Sequence, residues 1–279
     1  MAKVKVVTCS ASCIPRELAE ELGIEIVPLV LIVDGREYRD GIDISTEELY
    51  TAMMVDDSNI STATPTTGAF LRIFNDLAPG CDEIVCITLA SRFSAEYLAA
   101  ANAADAVRSV DVTVLDSGTA ATAQGQVVVA AARAAAEGSG SGEVLAAARD
   151  VAGRVQLFAA VETLRYLKHS GRLGPATAFA GEALSIKPVF RLAGGSIRPV
   201  AKELSRKRAL ERIVREAAKA ESISGPLHLA FFHAASPDDA IALKENVERT
   251  VEHVESYLTD ITPVMGRHTG PGLVGASFY

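Results

Sequence analysis

Residues 4–33 read VKVVTCSASCIPRELAEELGIEIVPLVLIV. Two apolar runs rich in β-branched residues, 4–8 and 24–33, flank a helical segment at 15–22. A strand, a helix and a second strand in this order are typical of a parallel α/β unit. The stretch therefore predicts that the chain begins as an α/β protein.

The same alternation continues to about residue 160, and then the pattern changes. The runs 187–192 and 196–201 flank Gly194-Gly195 and predict a β-hairpin. We predict two α/β domains, 1–160 with a mainly parallel sheet and 161–279 with a mixed sheet. A chain of 279 residues has the length of two ordinary domains. Two packed domains imply a cleft that can hold a ligand.

The overall composition limits the possible functions. Hydrophobic residues make up 49% of the chain and the formal net charge is −8. An acidic surface repels phosphate groups, which argues against a nucleic-acid partner. The longest apolar run, 26–33, is much shorter than the ~20 residues that cross a bilayer, and the first residues lack the pattern of a secretory signal. We therefore expect a cytoplasmic protein without a membrane-spanning segment.

The cysteine spacing and the glycine-rich segment give no sign of a metal or a cofactor. Cys9 and Cys13, like Cys81 and Cys86, lack the CxxC spacing of zinc or redox sites. The glycine-rich run 138–142 follows a predicted helix, whereas a dinucleotide-binding loop follows a strand. We expect free thiols, no metal site and no bound cofactor.

Four polar, hydroxyl-bearing segments lie where predicted strands meet helices, at 8–15, 61–68, 91–97 and 116–125. Open α/β sheets bind ligands at this edge, and hydroxyls beside helix N-termini suit an anion such as a carboxylate. Ordinary helix capping is the better explanation of each hydroxyl when it is taken alone. The four segments together favour an anion site.

Arg172 and His268 are the candidates from the second half, because Arg172 follows Gly171 and His268 precedes the Gly270–Gly272 segment in predicted loops. An arginine can bind a carboxylate through two parallel hydrogen bonds, and a histidine ring can contact a ligand oxygen. A surface ion pair and a structural histidine are the alternatives. Ser94 and His268 also suggest a Ser/His hydrolase of a lipid or ester, although no G-x-S-x-G motif and no third acidic member are evident.

A series of short motifs runs along nearly the whole chain: Thr8-Cys-Ser-Ala-Ser-Cys-Ile-Pro15, Tyr38-Arg-Asp-Gly41, Thr62-Ala-Thr-Pro65, Ser91-Arg-Phe-Ser-Ala-Glu-Tyr97, Asp116-Ser117, Gly171-Arg172, Ile186-Lys187-Pro188 and His268-Thr-Gly-Pro-Gly272. Their order and spacing resemble the DegV family, whose motifs include T-D-S-x-x-D-L-P, T-S-Q-P, S-x-x-S-G-T-Y and G-G-R. The family consists of fatty-acid-binding proteins that serve as lipid-presenting subunits of bacterial fatty acid kinases. Each motif alone is weak, whereas the ordered series is specific.

The resemblance implies a long-chain fatty acid enclosed between and within the two domains. It places the fatty-acid carboxyl group on Thr62 and Ser94, with Arg172, His268 and Gly272 near the head group. A separate ATP-dependent kinase subunit would phosphorylate the presented carboxyl group to an acyl phosphate. The chain itself would bind lipid without catalysing a reaction.

Three departures from the family motifs bear on this implied function. Cys9 replaces Asp, Glu96 replaces Thr, and Leu204 lies where many kinase-coupled members carry Arg. A carboxylate at position 96 would repel a bound carboxylate unless it turns outward or is neutralised.

The segment 187–215 carries nine basic residues against two acidic ones. In an acidic protein this predicts a local positive face, which fits either a solvated helix surface or a docking patch for an acidic partner.

Overall fold

A computed structural model describes residues 3–57, 59–173 and 186–279, and within them the chain is a mixed α/β protein. The strands of the first half are β1 (Val4–Cys9), β2 (Glu25–Val27), β3 (Val30–Val33), β4 (Arg36–Arg39), β5 (Ile60–Ala63), β6 (Glu83–Thr88) and β7 (Asp111–Asp116). Its helices are α1 (Arg16–Glu21), α2 (Thr46–Val55), α3 (Thr67–Leu77), α4 (Glu96–Ala106), α5 (Ala121–Ala136) and α6 (Ser141–Arg154). Short 3-10 turns occupy Ser10–Ser12 and Ala78–Gly80.

The parallel sheet of the first half has the strand order β2-β1-β6-β7, with every pairing parallel. A second, antiparallel sheet has the order β4-β3-β5. The predicted run 24–33 is therefore divided between two sheets at Pro28. Proline cannot donate to a strand ladder, so the chain leaves the parallel sheet there. Its continuation, β3, pairs with β5 and so positions Thr62 opposite Leu31.

The strands of the second half are β8 (Gln156–Ala160), β9 (Lys187–Ala193), β10 (Ser196–Glu203), β11 (Leu227–His233), β12 (His253–Asp260) and β13 (Val274–Phe278). Its helices are α7 (Arg165–His169), α8 (Arg206–Ser224), α9 (Pro237–Thr250) and α10 (Pro263–Thr269). The sheet order is β10-β9-β8-β13-β11-β12, in which β11 and β12 are parallel and the other pairs antiparallel.

This mixed sheet confirms the predicted fold class and the predicted hairpin, which β9 and β10 form around Gly194-Gly195. The division of the chain at residue 160 stays a prediction. Strand β8 ends at Ala160 and lies in the mixed sheet, whereas helix α6, which precedes it, packs against α5.

Helix α5 joins the two halves and is buried along most of its length. It packs against β1 on one side and against β11 and β13 on the other. Alanine-rich helices approach their neighbours closely, and a Cβ on Gly125 would lie 2.7 Å from the Ser12 carbonyl oxygen. Thr122 and Ser277 join their hydroxyls at 2.8 Å across the junction. The closely packed α5 thus fixes the first-half loops relative to the mixed sheet.

In the part of the chain that the structure describes, no helix combines the length and the apolar character that a membrane crossing requires. The four cysteines are free thiols, and three of them are buried. The described residues contain no group of three or more potential metal ligands.

Candidate functional site

A cavity lies where α5, α10, β5 and the mixed sheet meet, with an empty volume of about 1080 Å³ that includes the part open to solvent. Most of its wall is apolar, and six of its aliphatic and aromatic residues come from the mixed sheet: Leu157, Ala159, Phe190, Leu192, Ile197 and Phe232. The cavity therefore suits a ligand with a large hydrocarbon part.

Polar side chains gather on one region of this wall, and four of the predicted site residues are among them. Thr62, Ser94, Arg172 and His268 all line the cavity, and Thr64 joins them. Gly272 does not contribute to the cavity wall as far as the structure describes it. One polar cluster thus forms from four parts of the fold: strand β5 with the residues after it, the turn before α4, the segment after α7, and helix α10.

The Thr62 hydroxyl contacts His268, with 3.1 Å between Oγ1 and Nε2. Burial, aided by the nearby Arg172, lowers the pKa of His268 to about 3. The ring is therefore neutral near neutral pH, and its Nδ1 is buried without a hydrogen-bond partner among the described residues. A neutral ring carrying its hydrogen on Nε2 donates to Thr62, which leaves the threonine hydroxyl hydrogen free for a ligand oxygen.

The Ser94 hydroxyl lies just before helix α4 and has two neighbours. Its Oγ accepts a hydrogen bond from the Glu96 N–H at 3.2 Å and lies 3.2 Å from Thr64 Oγ1. Since one acceptor position of Ser94 is occupied, its own hydrogen can point to a ligand. Thr62 and Ser94 can thus both donate to a ligand, which suits a carboxylate that can only accept.

The Ser/His hydrolase interpretation gains no support from these contacts. His268 Nε2 contacts Thr62, whereas Ser94 contacts Thr64 and a backbone N–H. A general base should have a pKa near the working pH, and burial holds the pKa of His268 far below it. Ser94 therefore has no evident base among the described residues.

Arg172 and Arg267 have different roles around the site. The half-buried Arg172 lines the cavity and donates from Nη1 to the Ser170 carbonyl at 2.6 Å. Arg267 is buried and donates from Nε to the Ile60 carbonyl at 2.8 Å and from Nη2 to the Asp57 carbonyl at 3.1 Å. Arg267 thereby holds α10 against β5, and so His268 against Thr62. Sequence reasoning missed it, because an arginine beside a histidine gives no sign of burial.

The glycines of the 268–272 motif have a backbone function. Gly270 has φ +74°, and a Cβ there would collide with the Tyr166 ring. Gly272 has φ +87°, and its N–H donates to the Ala234 carbonyl at 2.8 Å. Glycine alone adopts such backbone angles without strain. These residues shape the turn from α10 into β13 and thereby position His268.

Glu96 does not turn outward, and its carboxyl group is fully buried. Its Oε2 accepts from Cys9 Sγ at 3.1 Å and from the Leu89 N–H at 3.2 Å. Burial is the main cause that raises the pKa of Glu96 to about 7, so the group is neutral at lower pH. Cys9 and Glu96, two of the departures from the family motifs, therefore contact each other, with the thiol as donor and the carboxyl group as acceptor.

The basic segment 187–215 is partly neutralised by ion pairs. Arg206 contacts Asp239 at 2.7 Å, Arg212 contacts Glu203 at 3.5 Å, and Lys187 pairs with Glu162. Leu204 is 70% exposed at the position of the family's arginine. The positive face is therefore weaker than the sequence predicted.

Comparison with known proteins gives consistent matches over the whole chain. The model of the DegV family matches residues 3–279. A DegV domain-containing protein of Streptomyces coelicolor is 34% identical over 274 residues, which cover 98% of this chain and 96% of that protein. Among solved structures, a DegV family protein from Thermus thermophilus, described for its fatty acid binding, has a TM-score of 0.95 at 27% identity and covers 100% of this chain and 99% of its own. Bacillus subtilis DegV, described as a fatty acid binding protein, has a TM-score of 0.90 at 28% identity with the same coverage.

Proposed function

The chain belongs to the DegV family, and on this premise we propose that it binds one long-chain fatty acid in the cavity, with the carboxyl group on Thr62 and Ser94. The observation that carries the proposal is the combination of an apolar wall with two hydroxyls that can donate to a ligand, beside Arg172 and His268. Related structures are described as fatty acid binding. The protein is a lipid-binding protein and has no catalytic residues of its own in this proposal.

The tail and the head group of the fatty acid contribute differently to the free energy of binding. Burying about fourteen methylenes contributes ~11 kcal/mol at ~0.8 kcal/mol each before the costs of association. A buried carboxylate without hydrogen bonds would cost several kcal/mol, so the polar cluster is required for it. The apolar wall therefore supplies affinity, and the hydroxyls supply orientation.

Lipid extraction from the purified protein tests the proposal directly. Denaturing extraction followed by mass spectrometry should release fatty acid in about one-to-one ratio. Protein stripped of lipid should bind added palmitate or oleate. A protein that is empty as purified and ignores both added acids contradicts the proposal.

Removing either head-group hydroxyl should weaken binding without removing the tail contacts. Thr62→Val and Ser94→Ala should each reduce the affinity for palmitate by about 1–3 kcal/mol, because a buried carboxylate oxygen loses a donor. Displacement of a fluorescent fatty acid measures the change. Thr113→Val on the exposed face of β7 is the matched control and should bind like the parent. Unchanged affinity in both site variants would show that the carboxylate lies elsewhere.

We also propose that the bound carboxyl group is presented in the cytoplasm to an ATP-dependent kinase subunit that forms acyl phosphate. Arg172 supports this step, because it lines the cavity beside His268 and its charge would stabilise the added phosphate. The assay mixes the protein, fatty acid, ATP and the kinase subunit of the same organism. Arg172→Ala should abolish acyl phosphate while retaining fatty acid. If the parent protein gives no acyl phosphate in this assay, it is a fatty acid carrier that does not act with this kinase subunit.

A further inference from the structure

The Glu96 carboxyl group lies directly behind the proposed head-group site. The same residue donates its backbone N–H to Ser94 Oγ at 3.2 Å and directs its side chain at Cys9 and the Leu89 N–H. Leu89 and Ser94 both line the cavity. Only a short stretch of chain therefore separates this buried carboxyl group from the serine hydroxyl that would receive the ligand's carboxylate.

Only one of the two Glu96 carboxyl oxygens accepts hydrogen bonds from the described residues. Oε2 has two donors, whereas Oε1 is buried without a hydrogen-bond partner among the described residues. An ionised carboxylate needs donors on both oxygens, because burying an unpaired charge is costly. This environment therefore favours the neutral acid.

The titratable groups around Glu96 give its charge no compensation. They are Cys9 on β1, Cys86 on β6 and Asp116 at the end of β7, and none of the three is a cation. Helix α3, which also packs on α4, contributes Phe70 and Phe74 to the neighbouring core. Burial, together with the charge of Asp116, raises the pKa of Glu96 to about 7, and burial raises the pKa of the Cys9 thiol, which keeps its hydrogen.

We propose that Glu96 is a further determinant of the head-group site: an anionic fatty acid binds when the Glu96 carboxyl group is protonated, so that ligand binding takes up a proton. This inference rests on the proposed function. A second negative charge beside Ser94 is excluded while the ligand is present, because like charges at a buried site do not both ionise readily. The affinity of the site for an anionic head group therefore depends on pH, whereas its affinity for a neutral head group does not.

The sign of the effect follows from linkage. Below about pH 7 the empty site already carries the proton, and binding takes up none. Above it, the empty site must gain the proton, so the affinity falls by at most about tenfold for each pH unit. The reverse also holds: a rise in pH favours release of the ligand.

Palmitate affinity measured from about pH 6 to about pH 9 tests the inference. The parent should lose affinity above about pH 7, and calorimetry in two buffers of different ionisation enthalpy should show uptake of about one proton near pH 8. Glu96→Gln should show neither effect, and so should Glu96→Thr, the residue of the family motif. Glu47→Gln, the same change in the exposed first turn of α2, should behave like the parent. Hexadecanol, a neutral analogue, should bind the parent with little dependence on pH.

The outcomes separate this inference from the function on which it rests. A parent that binds no palmitate at any pH overturns both. Binding that does not change with pH, a Glu96→Gln variant that follows the parent, or a hexadecanol affinity with the same pH dependence overturns the role of Glu96 alone. The role of Glu96 is supported if the pH dependence of the palmitate affinity and the proton uptake both occur only in proteins that retain Glu96.

Discussion

Replacing Ala159 with phenylalanine should weaken fatty acid binding more than about 100-fold while leaving the head-group residues in place. Ala159 lies on β8 in the apolar wall, opposite Phe190 in the register of the mixed sheet. A phenyl ring there occupies space that the hydrocarbon tail needs. If it displaces about four methylenes, the loss is about 3 kcal/mol at about 0.8 kcal/mol each, or more than about 100-fold in affinity. Displacement of a fluorescent fatty acid and lipid extraction both measure this.

The control carries the same substitution away from the cavity. Ala146 is exposed on α6, so Ala146→Phe should retain parental affinity. Thermal unfolding of the Ala159→Phe protein should show a folded chain, since the ring enters existing empty space and does not overpack a filled core. Parental affinity in a folded Ala159→Phe protein would place the tail outside this cavity.

Ala159 also shows why the cavity wall could not be predicted from the sequence. Ala159 and its neighbour Ala160 are both buried, yet Ala159 faces the cavity and Ala160 faces the core formed by α8 and α9. Alternation along a strand assigns residues to two faces without showing which face is filled. Only the relative placement of the two sheets and α5 decides this.

The polar cluster was more predictable than the apolar wall. Thr62 and Ser94 lie in two of the four segments where strands meet helices, and these segments together favoured an anion site. The resemblance to the family then indicated these two hydroxyls. The addition of Thr64, and the Arg267 hydrogen bonds that hold α10 on β5, depend on contacts between residues far apart in sequence. No local pattern indicates such contacts.

Two features of the fold show the same limit. Proline at position 28 explains why the run 24–33 is divided, but it does not indicate which sheet each part joins. Strand β12 was missed because it lies at the sheet edge, where its first residues are exposed. Edge strands have polar, exposed positions that weaken the alternating pattern.

Glu96 was expected to point outward or to be neutralised, and its burial makes the stability of the lipid-free protein depend on pH. The pKa of Glu96 is about 7 in the folded chain and about 4.5 as the ordinary value for glutamate. A raised carboxyl pKa contributes stability that is fully present below about pH 4.5 and lost as the pH rises through about 7. The shift corresponds to a loss of about 3 kcal/mol over this window.

Glu96→Gln should therefore be more resistant to unfolding than the parent above about pH 7, by up to about 3 kcal/mol, and the difference should shrink toward about pH 4.5. Glutamine keeps an oxygen that can accept from Cys9 and the Leu89 N–H, and it removes the buried charge. Urea unfolding of lipid-free protein across this range measures the difference, and taking it between parent and variant cancels the other titrating groups. Glu47→Gln should track the parent throughout. A Glu96→Gln protein whose stability runs parallel to the parent at every pH would show that Glu96 is already ionised in the folded chain, with a pKa close to that of the unfolded one.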